Sequence, residues 1–105
     1  MEFVETLSFT RRLRGLLSDD EYCLLQTALM LHPAKGPVIQ GSGGIRKFRW
    51  AISGRGKRGG VRVIYYWAVH RDILFMLLIY SKNEQDDLTP EQLKILKRLI
   101  EEEFS

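Results

Sequence analysis

The chain has one cysteine, two histidines and three prolines in 105 residues. A single thiol, Cys23, excludes an internal disulfide and a cysteine-based metal cluster. Its place in an apolar helical pattern predicts a buried structural thiol. No apolar stretch is long enough to cross a bilayer: the longest, Ile73 to Tyr80, has eight residues where about 20 are needed. Met1 to Leu7 carries two glutamates and no apolar core, so it does not read as a secretory signal. Cytoplasmic residence without a membrane partner is the expectation. The most informative shortage is of acid. Between Glu21 and Asp72 there is no Asp or Glu, while nine Lys and Arg fall in the same interval. The net charge of +3 therefore understates the local field, and a polyanion is the natural partner for the middle of the chain.

What fills that interval is a glycine-rich basic segment, Gly41 to Trp67, with seven of the sixteen basic residues and seven of the nine glycines. Ile45 to Ile52 alternates, so Arg46, Phe48, Trp50 and Ile52 share one face of a strand. Lys47 and Arg49 share the other with Ile45 and Ala51. Val61 to Val69 is a second β-rich run, with Val61, Val63, Tyr65, Trp67 and Val69 on one face and Arg62, Ile64, Tyr66 and Ala68 on the other. Arg62 is its only charge. Ser53 to Gly60, which joins the two runs, interleaves glycine with Arg55, Lys57 and Arg58 and reads as a cationic hairpin loop. Gly54, Gly56 and Gly59 spell G-x-G-x-x-G. The dinucleotide fingerprint needs a helix after that motif, whereas here a strand follows. The phosphate-loop pattern fails too, because Arg58 stands where Ser or Thr is required.

The remaining elements follow from punctuation and periodicity. Glu2 to Leu7 reads as a short strand, and Phe9 to Leu17 as a short helix with Phe9, Leu13, Leu16 and Leu17 on one side and Arg11, Arg12 and Arg14 on the other. Ser18 opens S-D-D-E, a capping box that starts a helix running to about Leu31, with Leu24, Leu25, Ala28, Leu29 and Leu31 as its buried stripe. Pro33 disfavours helical backbone at His32 and ends it. Ala34 to Gly44 is a connection. Ile73 to Tyr80 is apolar at every position, as a strand covered on both faces would be, and belongs near the sheet's centre. Thr89, Pro90 and Gln92 cap a last helix to about Glu103, with Leu93, Leu96, Ile100 and Phe104 facing inward. One domain spanning residues 1–105 is expected.

The motifs GGIRKFRW, GRGKRGGVRVIYYW and IYSKNEQDDLT, together with the chain length, resemble the RelE superfamily of toxin ribonucleases, and within it the HigB-like toxins. The resemblance implies an α+β, RelE-like fold: a small antiparallel sheet packed against two N-terminal helices and a C-terminal helix, with the helices on one side and the active cleft on the other. It further implies a type II toxin that enters the ribosomal A site, cuts mRNA there without metal or other cofactor, and is neutralised by a cognate antitoxin.

Cleavage of this kind uses the 2′-hydroxyl as nucleophile. It needs a proton acceptor, a proton donor and cations for the charge on phosphorus. Arg62 suits the last role, since guanidinium is always charged and binds phosphate through a planar fork. The resemblance is to the family's all-basic site, matched by Lys47, Arg49, Arg62 and Lys82. On that basis Lys47 is the expected base and Arg49 orients phosphate, with Lys82 or Tyr80 as acid. Arg46, Arg55, Lys57 and Arg58 are the expected RNA-phosphate contacts. Two plainer readings stay open: Lys47 and Arg49 as a solvated strand face, and the whole face as a non-catalytic nucleic-acid- or ribosome-binding module.

Overall fold

The computed structural model of the chain describes residues 1–51 and 60–104. Its elements run β1 (Glu2–Glu5), α1 (Leu7–Leu16), α2 (Asp19–Leu31), β2 (Ile45–Trp50), β3 (Val61–Ala68), β4 (Ile73–Ser81) and α3 (Pro90–Phe104). Each helix starts where a side chain can satisfy its free amides. Thr6 accepts from the Phe9 amide at the head of α1. Both bonds of the Ser18 capping box form, with Ser18 Oγ accepting from Glu21 N and Glu21 Oε1 accepting from Ser18 N. Thr89 and Gln92 make the same reciprocal pair at α3.

The sheet order is β1-β4-β3-β2. The chain from β2 to β4 is an antiparallel meander, while β1 lies parallel to β4, so the sheet is mixed where the resemblance implied an antiparallel one. The direction of β1 has a local cause. Thr6 N–H donates to the Met76 carbonyl and Thr6 Oγ1 to the Leu77 carbonyl, so α1 starts beside β4 and continues along it beyond the end of the short first strand.

Both faces of β4 are buried, as its unbroken apolar run predicts, and each has its own cover. On one face Phe9, Leu17, Leu25 and Leu29 from the N-terminal helices meet Phe48, Val63, Tyr65, Leu74 and Met76. On the other, Leu96 and Ile100 of α3 meet Ile45, Ile64, Phe75 and Leu77. The helices are thus divided between the two faces, instead of sharing one side opposite a cleft. The sheet is apolar on both sides, and only helices on both sides can bury it.

Helix α2 is less buried than its leucine count predicts. Leu25 and Leu29, one turn apart, are fully buried, but Leu24 is 63% and Leu31 70% exposed, and Cys23 is exposed as well. A helix lying on a sheet offers it one stripe, and residues adjacent in sequence to that stripe are rotated about 100° away from it. Cys23 is accordingly a surface thiol, where a buried one was expected.

The connection between α2 and β2 is closed onto the sheet. The fully buried Tyr65 hydroxyl donates to Pro33 O at 2.7 Å and accepts from Gly36 N at 3.0 Å. Ile39 N–H then donates to Ile45 O, and Lys47 N–H to Pro37 O, along the outer edge of β2. A Cβ on Gly36 would lie 2.8 Å from Lys47 O, so only glycine permits this approach.

Candidate active site

The strand register builds a row of side chains across the sheet. Arg49 of β2 pairs with Arg62 of β3, and Arg62 pairs with Tyr80 of β4, all three on the face that carries α3. Directly paired residues have Cβ atoms about 5 Å apart, so the three side chains form one continuous group. Lys47 lies two residues along β2 from Arg49, on the same face. Beyond the end of α3's packing this face is open, and a cleft of about 610 Å³ is lined by Arg49, Trp50, Gly60, Arg62, Lys82 and Asp86, among others.

Arg62 is the centre of the cleft and its most unusual group. It is only 9% exposed, and among the described residues it makes no hydrogen bond or ion pair. The nearby Asp87 carboxylate acts on it only through space, so the guanidinium keeps its hydrogen-bonding capacity for a ligand in the cleft. Tyr80, beside it, is fully buried, and its hydroxyl has no hydrogen-bond partner among the described residues. Burial raises the Tyr80 pKa, the negative charge of Asp87 raises it further, and Arg62 pulls the other way. The phenol therefore stays protonated at neutral pH.

Lys47 is differently engaged. Its Nζ donates to Asp87 Oδ1 at 3.0 Å, and the same oxygen accepts from Leu88 N at 2.8 Å. The Lys47 hydrogen bond holds the Asp87 carboxyl below the usual range, helped by the Leu88 amide. This pairing draws the Lys47 ammonium out of the main cleft into a neighbouring recess of about 240 Å³, lined by Val38, Ile39, Lys47, Asp87, Leu88 and Leu93 with Pro37.

A family model described as the RelE toxin of the RelE/RelB toxin-antitoxin system matches residues 4–104. The chain belongs to the RelE toxin family. Among solved structures it is similar to a mutant of the E. coli toxin RelE in the free state, with a TM-score of 0.56 and 13% sequence identity over 81% of this chain and 86% of that one. At that identity the likeness is one of fold, and it agrees with the α+β architecture.

Of the residues marked out in the sequence of this RelE-family toxin, Arg49, Arg62 and Lys82 come together at the cleft, Tyr80 is buried beside Arg62 without lining it, and Lys47 stands next door. Arg46 is not among them. It lies on the opposite face of β2, where its Nη1 donates to Gly36 O at 2.7 Å and to Ala34 O at 3.2 Å, tying the connection to the sheet. Arg55, Lys57 and Arg58 lie outside the described residues. Two carboxylates were missed altogether: Asp86 in the cleft and Asp87 on Lys47. The signal for them is IYSKNEQDDLT, whose first three residues end β4 and whose acidic part leaves the sheet next to Tyr80, the partner of Arg62. Among the described residues no three of His, Cys, Asp and Glu gather as a metal-capable group.

Proposed function

We propose that this toxin is a ribosome-dependent endoribonuclease that inhibits translation by cutting mRNA in the ribosomal A site. The observation that carries the reading is Arg62, a buried guanidinium that makes no hydrogen bond or ion pair among the described residues and lines an open cleft with Arg49 and Lys82. A phosphodiester supplies the missing anion. Arg62 takes the two non-bridging oxygens through its planar fork, and Arg49 and Lys82 at the rim add charge. As the 2′-oxygen attacks phosphorus, the developing dianion falls on groups already desolvated and fixed, which is where electrostatic stabilisation is most effective.

The nucleophile must lose a proton and the 5′-oxygen must gain one. Lys47, the base expected from the sequence, is turned aside and donates to Asp87. Within the cleft, Asp86 has a carboxylate without a partner among the described residues, and we assign it the proton from the 2′-hydroxyl. Lys82 returns a proton to the departing 5′-oxygen, leaving a 2′,3′-cyclic phosphate and a 5′-hydroxyl. Tyr80, held protonated and buried beside Arg62, serves as a neutral neighbour of the guanidinium and not as the acid. Every role is thus filled by a side chain of this chain. We read the protein as HigB-like within its family on the motifs GGIRKFRW and GRGKRGGVRVIYYW, and as the partner of a cognate antitoxin that neutralises it.

The test is to map mRNA 5′ ends after incubation with the protein, with and without translating ribosomes. Cuts that need ribosomes and bear 5′-hydroxyls are expected, with Asp86→Asn strongly impaired. Intact RNA in a sample where folded protein is bound to ribosomes overturns the enzymatic reading in favour of a binding module.

A further inference from the structure

The recess beside the cleft is not used by the mechanism, yet its chemistry is specific. Val38, Ile39, Leu88 and Leu93 give it apolar walls, and its polar groups are the paired Lys47 and Asp87. At about 240 Å³ it is smaller than pockets for drug-sized ligands, which begin at roughly 300 Å³. It admits one flat heterocycle. Lys47 and Arg49 are two residues apart on one strand face, hence about 7 Å apart along it. A base in the recess and its neighbouring phosphate on Arg49 and Arg62 therefore belong to adjacent parts of one strand.

The pair also discriminates among bases. Asp87 Oδ2 accepts no hydrogen bond among the described residues, while Oδ1 is fixed by Lys47 Nζ and Leu88 N. The carboxylate thus presents a free acceptor next to a fixed ammonium donor. Guanine is the base whose pairing edge offers two adjacent N–H donors followed by a carbonyl acceptor. Uracil offers one donor between two acceptors, while adenine and cytosine each offer one donor group beside acceptors. We propose that this recess receives a guanine of the RNA strand, its N1–H and N2–H both donating to the free Oδ2 of Asp87 and its O6 accepting from Lys47, so that Asp87 is a specificity-determining residue. The proposal rests on the reading of the cleft as an RNA-phosphate site.

The experiment measures anisotropy of labelled, fully 2′-O-methylated pentanucleotides that differ only in the central base. The methyl groups remove the nucleophile, so binding is read without cleavage. Wild type is expected to bind the guanine oligomer about tenfold more tightly than the others, the scale of one good two-point base contact. Asp87→Asn, which keeps an acceptor for Leu88 N but replaces the other oxygen with a donor, should abolish that preference. Val38→Trp, at a half-exposed position where the fold tolerates bulk, should fill the recess and do the same. Arg62→Ala should weaken all four oligomers alike. Equal binding of all bases by wild type, or a guanine preference unmoved by both recess variants, overturns the proposal while leaving the cleft reading intact. Oligomer binding unchanged by Arg62→Ala overturns the cleft reading and the proposal with it.

Discussion

Replacing Arg62 with methionine separates function from stability in opposite directions. Methionine matches the arginine stem in length and carries no charge. In the free protein Arg62 is 9% exposed and lacks a protein partner among the described residues. Its desolvation is thus offset only by the charge of nearby Asp87 and by the open cleft above it. Exchange of buried charged groups for apolar ones of similar volume stabilises by roughly 1–4 kcal/mol. The open cleft puts Arg62→Met near the lower end, at about 1–2 kcal/mol. In a domain of this size each kcal/mol moves the melting midpoint by about 4–8 °C. Thermal denaturation by circular dichroism should therefore show a rise for Arg62→Met, and RNA-end mapping a fall of about 10²- to 10³-fold in cleavage. Inorganic phosphate supplies a second reading. At ten times its Kd it should stabilise wild type by about 1.4 kcal/mol and leave Arg62→Met unmoved. A variant less stable than wild type by more than about 1 kcal/mol would refute the reasoning, because it would mean that the guanidinium is already satisfied by the protein.

Three further outcomes follow from particular contacts. The Asp87 pKa is lowered in the fold, so the stability it contributes is present above its unfolded value near ~3.9 and is lost as pH falls through the lower folded value; Asp87→Asn should flatten that acid limb of the stability curve, and an unchanged limb would show that the pair with Lys47 does not persist in solution. Tyr65→Phe removes the hydroxyl that holds Pro33 O and Gly36 N and should cost about 1–3 kcal/mol in chemical denaturation, whereas a neutral result would mean the connection is held without it. Cys23, being exposed, should react with a maleimide in the native protein at a rate close to that of the denatured chain, and marked native protection would count against its surface position.

Much of the fold was readable because its signals are local. The capping groups at Ser18 and Thr89, the alternation at Ile45 to Trp50 and the unbroken apolar run of β4 each depend on neighbours within a few residues, and each element formed close to where they indicated. That Lys47 and Arg49 share a face was readable for the same reason, since a period of two fixes which side chains of one strand point together, whereas Arg62 joins them only through the register of β2 on β3. What the sequence hid were matters of packing. Leu24 and Leu31 are as apolar as Leu25 and Leu29, and only the placement of α2 on the sheet decides which pair is covered. Arg46 was grouped with the RNA contacts by charge, yet its face turns it onto backbone carbonyls. The Lys47–Asp87 pair joins residues forty positions apart, a closure that exists only once β4 has crossed the sheet and α3 has docked.

The connection sewn along β2 has a consequence for association. An outermost strand with unused amides and carbonyls is a template on which another chain can lengthen the sheet. Here Ile45 O and Lys47 N are already taken by Ile39 and Pro37, and the opposite border, β1, is only four residues long. Among the described residues, the first half of β2 is thus occupied and β1 is short, which leaves little free backbone for strand addition. Growth of the sheet by added strands is thereby disfavoured along the part of β2 that the connection covers.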